Sequence, residues 1–207
     1  MVAVNLELGL LLVNSFIILV VVMDPPGSIP IFIALTRRMS ADDRRRELNH
    51  AVIVATILLL LFAFLGKLIL DLLGISLNSF MIAGGILLLL VSFDLLKGEH
   101  KCGVVSETGT SMGVGAVPIG TPMLAGPGAI TAVMVIIQSS GVTVVLFAII
   151  TAIITTRFLL GQSYRLYEFM GEVGTEVLSR VIGIIVAAIA IEFIGTGILG
   201  MYRLSML

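Results

Sequence analysis

The sequence predicts an all-α polytopic membrane protein, and three observations lead to this prediction. Of the 207 residues, 58% are hydrophobic and 12% are charged, whereas a soluble domain has about 25% charged residues. The apolar residues form six runs, each long enough to cross about 30 Å of hydrocarbon as a helix. The runs do not alternate in polarity, as the strands of a membrane barrel do. Helices are therefore expected, because they satisfy their own backbone groups in lipid.

Composition also limits the partners and cofactors. The formal net charge is −1, from 12 Lys and Arg against 13 Asp and Glu, so neither a basic nucleic-acid surface nor an acidic tail is expected. One cysteine cannot close an intrachain disulfide, and two histidines without a cysteine cluster do not suggest a zinc site. We expect membrane lipid as a partner, no nucleic acid, no metal and no cofactor.

The charged segments between the apolar runs define the expected spans and their orientation. The six spans are expected at residues 8–35, 49–73, 77–96, 114–137, 142–160 and 177–199. Ten of the 12 cations lie in or near the connections that follow the first, third and fifth spans. Because positively charged loops stay in the cytoplasm, both termini are predicted to face outward. The first run lacks the basic start and cleavage site of a signal peptide, so it should remain in the mature chain.

An internal repeat accompanies this pattern. Residues 26–29 match residues 127–130 at an offset of 101, and an offset of 98 relates two further pairs: Gly85 to Gly183, and Asp94 to Glu192. Three spans in each half make the second copy cross the membrane in the opposite direction. We therefore predict two inverted three-helix repeats, at residues 1–97 and 114–207, joined by a cytoplasmic linker at residues 98–113. Short Pro-Gly matches also arise by chance in membrane helices.

The first and fourth spans contain Pro-Gly clusters, which should interrupt both helices because proline lacks an N–H and clashes with the preceding turn. Broken helices at membrane depth commonly form the substrate sites of secondary transporters. Each resumed helix offers N–H groups for a carboxylate, and Asp24 adds a negative charge, so a small zwitterion is the best-fitting ligand. The predicted binding residues are Asp24, Pro25, Pro26, Gly27, Ser28, Pro30, Thr121, Pro122, Gly126, Pro127, Gly128 and Ala129.

Each of these features has a structural alternative. In that alternative the Pro-Gly clusters are kinks that help helices pack, and Asp24 is the N-cap of the resumed helix. Asn14 either lines a path or forms an interhelical hydrogen bond. Asp94 and Glu192 are candidates for ion or proton coupling if they lie in the membrane, and solvated surface acids if they lie at its interface.

The motifs at residues 24–32, at 74–77 with 82–85, and at 118–130 resemble those of the MarC family of prokaryotic membrane proteins. The resemblance extends over nearly the whole chain. It implies a six-span secondary transporter of small neutral amino acids, such as glycine and alanine, that uses an ion or proton gradient. Three features depart from the family pattern: Met81 replaces an expected Arg, Glu192 replaces a more usual Gln, and the loop at residues 98–113 is short. The second departure weakens a coupling role for Glu192.

The leading hypothesis is therefore a transporter in the cytoplasmic membrane that works by alternating access. An ion channel and a non-transporting assembly subunit are the alternatives, although no charged ring or TVGYG filter motif is present. Enzymatic activity is not expected, since neither H-E-x-x-H nor G-x-S-x-G occurs. The small residues that permit close packing suit contacts within one subunit or within a homo-oligomer.

Overall fold

The structure, a computed structural model, describes residues 2–97 and 124–206, and its regular elements there are all helices. In chain order the helices are α1 (Val2–Met23), α2 (Pro25–Thr36), α3 (Ala41–Leu72), α4 (Leu77–Lys97), α5 (Pro127–Gly161) and α6 (Ser163–Ser205). The predicted all-α class is therefore confirmed for the described residues. The predicted linker at residues 98–113 lies outside them.

The number of candidate spans differs from the sequence prediction. Five segments are long and apolar enough to cross a membrane: Glu7–Thr36, Ala41–Leu72, Leu77–Lys97, Pro127–Gly161 and Val173–Arg203. The difference arises at α5, which contains both the predicted fifth span and the end of the predicted fourth. The beginning of that fourth span, at residues 114–123, lies outside the described residues. A sixth span therefore stays a prediction.

Helix α5 reverses direction at Gly141. This residue has φ 83° and ψ 177°, a backbone conformation that is essentially restricted to glycine. Val22 of α1 lies beside Gly128, while Phe16 of α1 lines a groove together with Thr151. In straight helices the two α1 residues would be about 9 Å apart and the two α5 residues about 35 Å apart. Only a reversal brings both pairs together, so α5 has a first arm (127–140) and a second arm (142–161).

Two helices begin well before the apolar runs that predicted them. Helix α3 starts at Ala41 rather than 49, because Ser40 caps it by accepting a hydrogen bond from the Asp43 N–H at 3.1 Å. Acidic residues in its first turn favour the same start. Helix α6 starts at Ser163 rather than 177 and is interrupted at Gly171, where φ is 69°. Hydropathy located the apolar parts of these helices but not their polar first turns.

Helices α4 and α6 form a closely packed antiparallel pair. A Cβ atom at Gly85 would lie 2.7 Å from the carbonyl oxygen of Ala190, and one at Gly183 would lie 3.3 Å from that of Ser92. The two helices run in opposite directions, because the contacts along them are Asn78 with Gly197, Gly85 with Ala190, and Ser92 with Gly183. Small residues allow such close approach of helices in lipid. We call this contact the α4–α6 seam.

Helix α4 also contacts the first arm of α5. Thr131 lies so close to Gly84 that a Cβ atom there would collide with its side chain, and Leu88 contacts Gly128 in the same way. Leu88 and Thr131 are both buried. Helix α3 contacts the same arm where Gly66 faces Met134. The beginning of α5 is therefore held between α3, α4 and the end of α1.

Replacing Gly85 with alanine should destabilise the α4–α6 seam. The new methyl group would meet the Ala190 backbone at 2.7 Å, and overpacking of this kind costs about 1–3 kcal/mol. The matched control is Gly195→Ala in α6, where no atom lies within 4 Å of the new Cβ. Thermal unfolding in detergent should show a lower Tm for the first variant and an unchanged or slightly higher Tm for the second. Equal Tm values would contradict the described packing.

Candidate functional site

The first break in a membrane helix is at Asp24. Helix α1 ends at Met23 and α2 begins at Pro25, so the predicted interruption of the first span is confirmed. Asp24 has φ 43° and ψ 62° and is the one non-glycine residue with positive φ in the described part of the chain. Aspartate adopts this left-handed conformation more readily than most residues, because its short side chain can hydrogen-bond locally.

Asp24 satisfies the backbone groups that the break exposes. Its Oδ1 accepts a hydrogen bond from the Gly27 N–H at 3.1 Å. Its carbonyl oxygen accepts from the Ser28 N–H at 3.1 Å and from the Ser28 hydroxyl at 3.0 Å. Pro25 and Pro26 have no N–H. The capping role of Asp24 is therefore confirmed.

This arrangement changes the expected chemistry of the first break. The amides that follow Gly27 were expected to hold a carboxylate ligand, but their hydrogen bonds are made within the chain. Gly27 is required for the cap, because a Cβ atom there would collide with Oδ2 of Asp24. The first break therefore presents a carboxylate rather than free amides.

The start of α5, where the sequence predicts the second break, has the opposite character, and we call it the second break. Gly126 is its N-cap, with an extended backbone and no side chain to bond the helix amides. The first backbone hydrogen bond runs from the Ile130 N–H to the Gly126 carbonyl oxygen at 3.0 Å. The N–H groups of Gly128 and Ala129 precede it and are not capped by a described side chain. They lie at the positive end of the helix dipole.

The two breaks lie close together. A Cβ atom at Gly128 would be 3.0 Å from Cγ1 of Val22, two residues before Asp24, and would collide with Leu88. Gly128 is thus closely packed by Val22 and Leu88 on the side where a Cβ atom would lie. Because Val22 lies two residues before Asp24, the end of α1 and the start of α5 are neighbours, and the half-buried Asp24 lies near the buried Gly128.

The predicted binding residues differ in exposure. Five of them are buried: Pro25, Gly27, Ser28, Gly128 and Ala129. Four are half-buried, namely Asp24, Pro26, Pro30 and Gly126, while Pro127 is exposed. Thr121 and Pro122 lie outside the described residues. No group of three His, Cys, Asp or Glu side chains within the described ranges could hold a metal ion.

The three predicted coupling or path residues are not brought to the breaks. Asn14 is exposed and lines a groove of about 630 Å³ along α1, together with Glu7 and neighbouring apolar residues. Asp94 and Glu192 are exposed on α4 and α6. The Thr196 hydroxyl donates to Glu192 at 3.4 Å. These positions are compatible with both alternatives given above: a path or interhelical hydrogen bond for Asn14, and a coupling residue or solvated surface acid for Asp94 and Glu192.

Sequence reasoning missed the apolar residues that hold the breaks together. Val22 and Leu88 lie within long hydrophobic runs, and nothing in such a run distinguishes a residue that faces protein from one that faces lipid. The glycine pair at 84 and 85 was the one available signal, since adjacent small residues mark a close helix contact. The structure shows two such contacts there, one with α5 and one with α6.

Comparison with known proteins gives the family. Residues 10–202 match the profile of the MarC family integral membrane proteins. The chain belongs to the MarC family. It is 36% identical over 187 residues to the UPF0056 membrane protein MJ1677 of Methanocaldococcus jannaschii, covering 86% of this chain and 91% of that one. It is 34% identical over 196 residues to the UPF0056 membrane protein YhcE of Escherichia coli, covering 90% and 91%. No solved structure matches significantly.

The MarC match confirms the resemblance drawn from the sequence motifs. It spans both breaks and the α4–α6 seam, so these features lie within the family region. The family and the candidate spans together identify a multi-pass integral membrane protein. The names of the two relatives state only that they are membrane proteins.

In this MarC-family chain, Asp24→Ala should be clearly less stable than Asp24→Asn. Alanine removes the cap, which costs about 0.5–2 kcal/mol, and tolerates positive φ poorly. Asparagine keeps an oxygen acceptor and also adopts the left-handed conformation. Thermal unfolding in detergent measures the difference, with Ser40→Ala as a control that loses a cap at a residue of ordinary φ. An equal decrease in Tm for Asp24→Ala and Asp24→Asn would argue against the capping geometry.

Proposed function

We propose that this MarC-family protein is a secondary transporter of small neutral amino acids, such as glycine and alanine, in the cytoplasmic membrane of a prokaryote. The observation that supports it most is the close approach of two helix breaks with opposite polarity. One break carries the Asp24 carboxylate and the other carries the uncapped amides of Gly128 and Ala129. A ligand with one positive and one negative group complements this pair.

The orientation of the substrate follows from the two breaks. Its carboxylate binds the amides at the start of α5, where the helix dipole favours an anion. Its ammonium group binds Asp24, whose carboxylate has lone pairs beyond the one that Gly27 occupies. The surrounding Val22, Leu88 and Ser28 are half-buried or buried and leave little room for a large side chain. Glycine and alanine are therefore the favoured substrates.

Two inverted repeats are the architectural part of the proposal, and the α4–α6 seam supports them. At the repeat offset of 98, Gly85 corresponds to Gly183 and Ser92 corresponds to Ala190. Replacing each residue by its counterpart therefore turns the contact between Gly85 and Ala190 into the contact between Gly183 and Ser92. Buried positions agree at the same offset: Met81, Gly85, Leu88, Ser92 and Leu95 correspond to Ser179, Gly183, Val186, Ala190 and Phe193. A twofold axis in the membrane plane would produce this exchange.

Alternating access follows from this architecture. The halves at residues 1–97 and 114–207 would rock about the seam and open the breaks to each side in turn. Both termini face outward in this proposal, because the arginine-rich loops belong in the cytoplasm. A proton or sodium gradient drives the cycle. Asp94 and Glu192 occupy the same repeat position and are the candidate coupling residues, and Asn14 contributes to the outer path.

Ligand-dependent thermal stability tests the substrate class. Glycine and alanine should stabilise the detergent-purified protein, by about 2.7 kcal/mol at a concentration of 100 Kd. Acetate and methylamine, which each carry only one of the two charged groups, should not. Asp24→Asn should keep its fold but lose the response, while Asp71→Asn, at an exposed carboxylate of α3, should keep it. A full response in Asp24→Asn would contradict the assigned ammonium site.

Transport by the protein in liposomes tests the mechanism. Uptake of glycine should saturate, and an imposed proton or sodium gradient should increase it. Conductance that neither saturates nor depends on a zwitterion would instead favour a channel.

A further inference from the structure

A contact between Arg44 and Tyr164 joins the starts of two helices. The guanidinium carbon of Arg44 lies 3.8 Å from the centroid of the Tyr164 ring, which is a cation–π arrangement. Arg44 is in the first turns of α3, and Tyr164 is in the first turn of α6. The contact therefore connects residues 1–97 with residues 114–207. It lies at what we call the arginine-rich end, which includes Arg37, Arg38, Arg44, Arg45, Arg46 and Arg165.

The polar atoms of this stack are incompletely bonded. Nε of Arg44 and the hydroxyl oxygen of Tyr164 are buried, and neither has a hydrogen-bond partner among the described residues. Attraction between the cation and the ring face holds the stack closed, while the two unpaired atoms favour the entry of water, because a buried polar atom without a partner is costly. The stack is thus suited to open and close.

An apolar layer lies directly beneath the stack. Leu48, one turn after Arg44 in α3, approaches Gly161 at the end of α5, where a Cβ atom would be 3.8 Å from Cδ2 of the leucine. Leu48 is 2% exposed and Leu160 is fully buried. At the arginine-rich end, the stack therefore holds α3 against the start of α6, and Leu48 holds it against the end of α5.

A buried hydroxyl without a partner lies behind that layer. Thr156 is 0% exposed and about 7.5 Å along the helix from Gly161. Its Oγ1 has no hydrogen-bond partner within the described ranges. By contrast, the hydroxyls of Thr151, Thr155 and Thr131 on the same helix each donate to a backbone carbonyl oxygen of that helix. The Thr156 hydroxyl is available to water or a polar ligand when the layer opens.

We propose that the Arg44–Tyr164 stack is the gate at the arginine-rich end of the translocation path, and that Thr156 is a polar residue of the path behind it. This inference rests on the proposed transport function and assigns the groups that close one side of it. The closed stack excludes water from Thr156. Separation of the starts of α3 and α6 exposes the hydroxyl.

Cysteine accessibility tests the gate. A Thr156→Cys reporter is introduced into a Cys102→Ser background, and the purified protein in lipid nanodiscs is treated with a charged maleimide. Labelling should be slow with the intact stack and about 2- to 30-fold faster in Tyr164→Leu or Arg44→Ala, which remove the cation–π contact. Tyr164→Phe keeps the ring face and should remain slow. Arg45→Ala, at an exposed neighbouring arginine, should also remain slow.

A second reporter separates gating from general loosening. Thr131 is as buried as Thr156. It lies on the first arm of α5, about one turn after the helix begins at Pro127. Thr131→Cys should stay protected in every gate variant. Equal labelling of Thr156→Cys in all variants, or faster labelling of both reporters, would overturn the gate. The labelling test needs no amino acid. If the gate variants are labelled faster but glycine and alanine do not stabilise the protein, the proposed substrate is wrong and the gate is supported.

Discussion

The central physical constraint on this fold is that lipid cannot hydrogen-bond to an interrupted backbone. A break in a membrane helix therefore requires partners from the chain itself. Asp24 provides them at the end of α1 by adopting positive φ and turning its carboxylate onto the Gly27 amide. The start of α5 has no such cap among the described residues. This difference gives two otherwise similar Pro-Gly breaks opposite charge preferences.

The position of the breaks depends in turn on the α4–α6 seam. Small residues bring the backbones of α4 and α6 together, which fixes Leu88 against Gly128. Val22 completes the contact from the end of α1. The proposed site is thus built from backbone groups and held by apolar packing, and few polar side chains are needed. This explains how a chain with only 12% charged residues can bring a carboxylate near amides that no described side chain caps.

The sequence was sufficient for features that depend on local chemistry. The apolar runs predicted the helices, and the proline and glycine residues predicted the break at Asp24. The bonding of the Gly27 amide was not predictable, because it depends on the left-handed conformation of Asp24, and the sequence allowed both a cap and a ligand site. The apolar runs did not reveal that α3 and α6 begin at residues 41 and 163, since hydropathy does not register polar first turns. Contacts such as Arg44 with Tyr164 join residues 120 positions apart, beyond the range of local patterns.

The reversal at Gly141 also bears on how the protein enters the membrane during synthesis. The first arm of α5, at residues 127–140, is about 21 Å long, whereas the hydrocarbon layer is about 30 Å thick. By itself this arm is shorter than the hydrocarbon layer, and the predicted fourth span also includes residues 114–123, which precede the described ones. The second arm is about 30 Å long and follows after a single residue. Because only Gly141 separates the two antiparallel arms, they suit insertion into the bilayer as one helical hairpin.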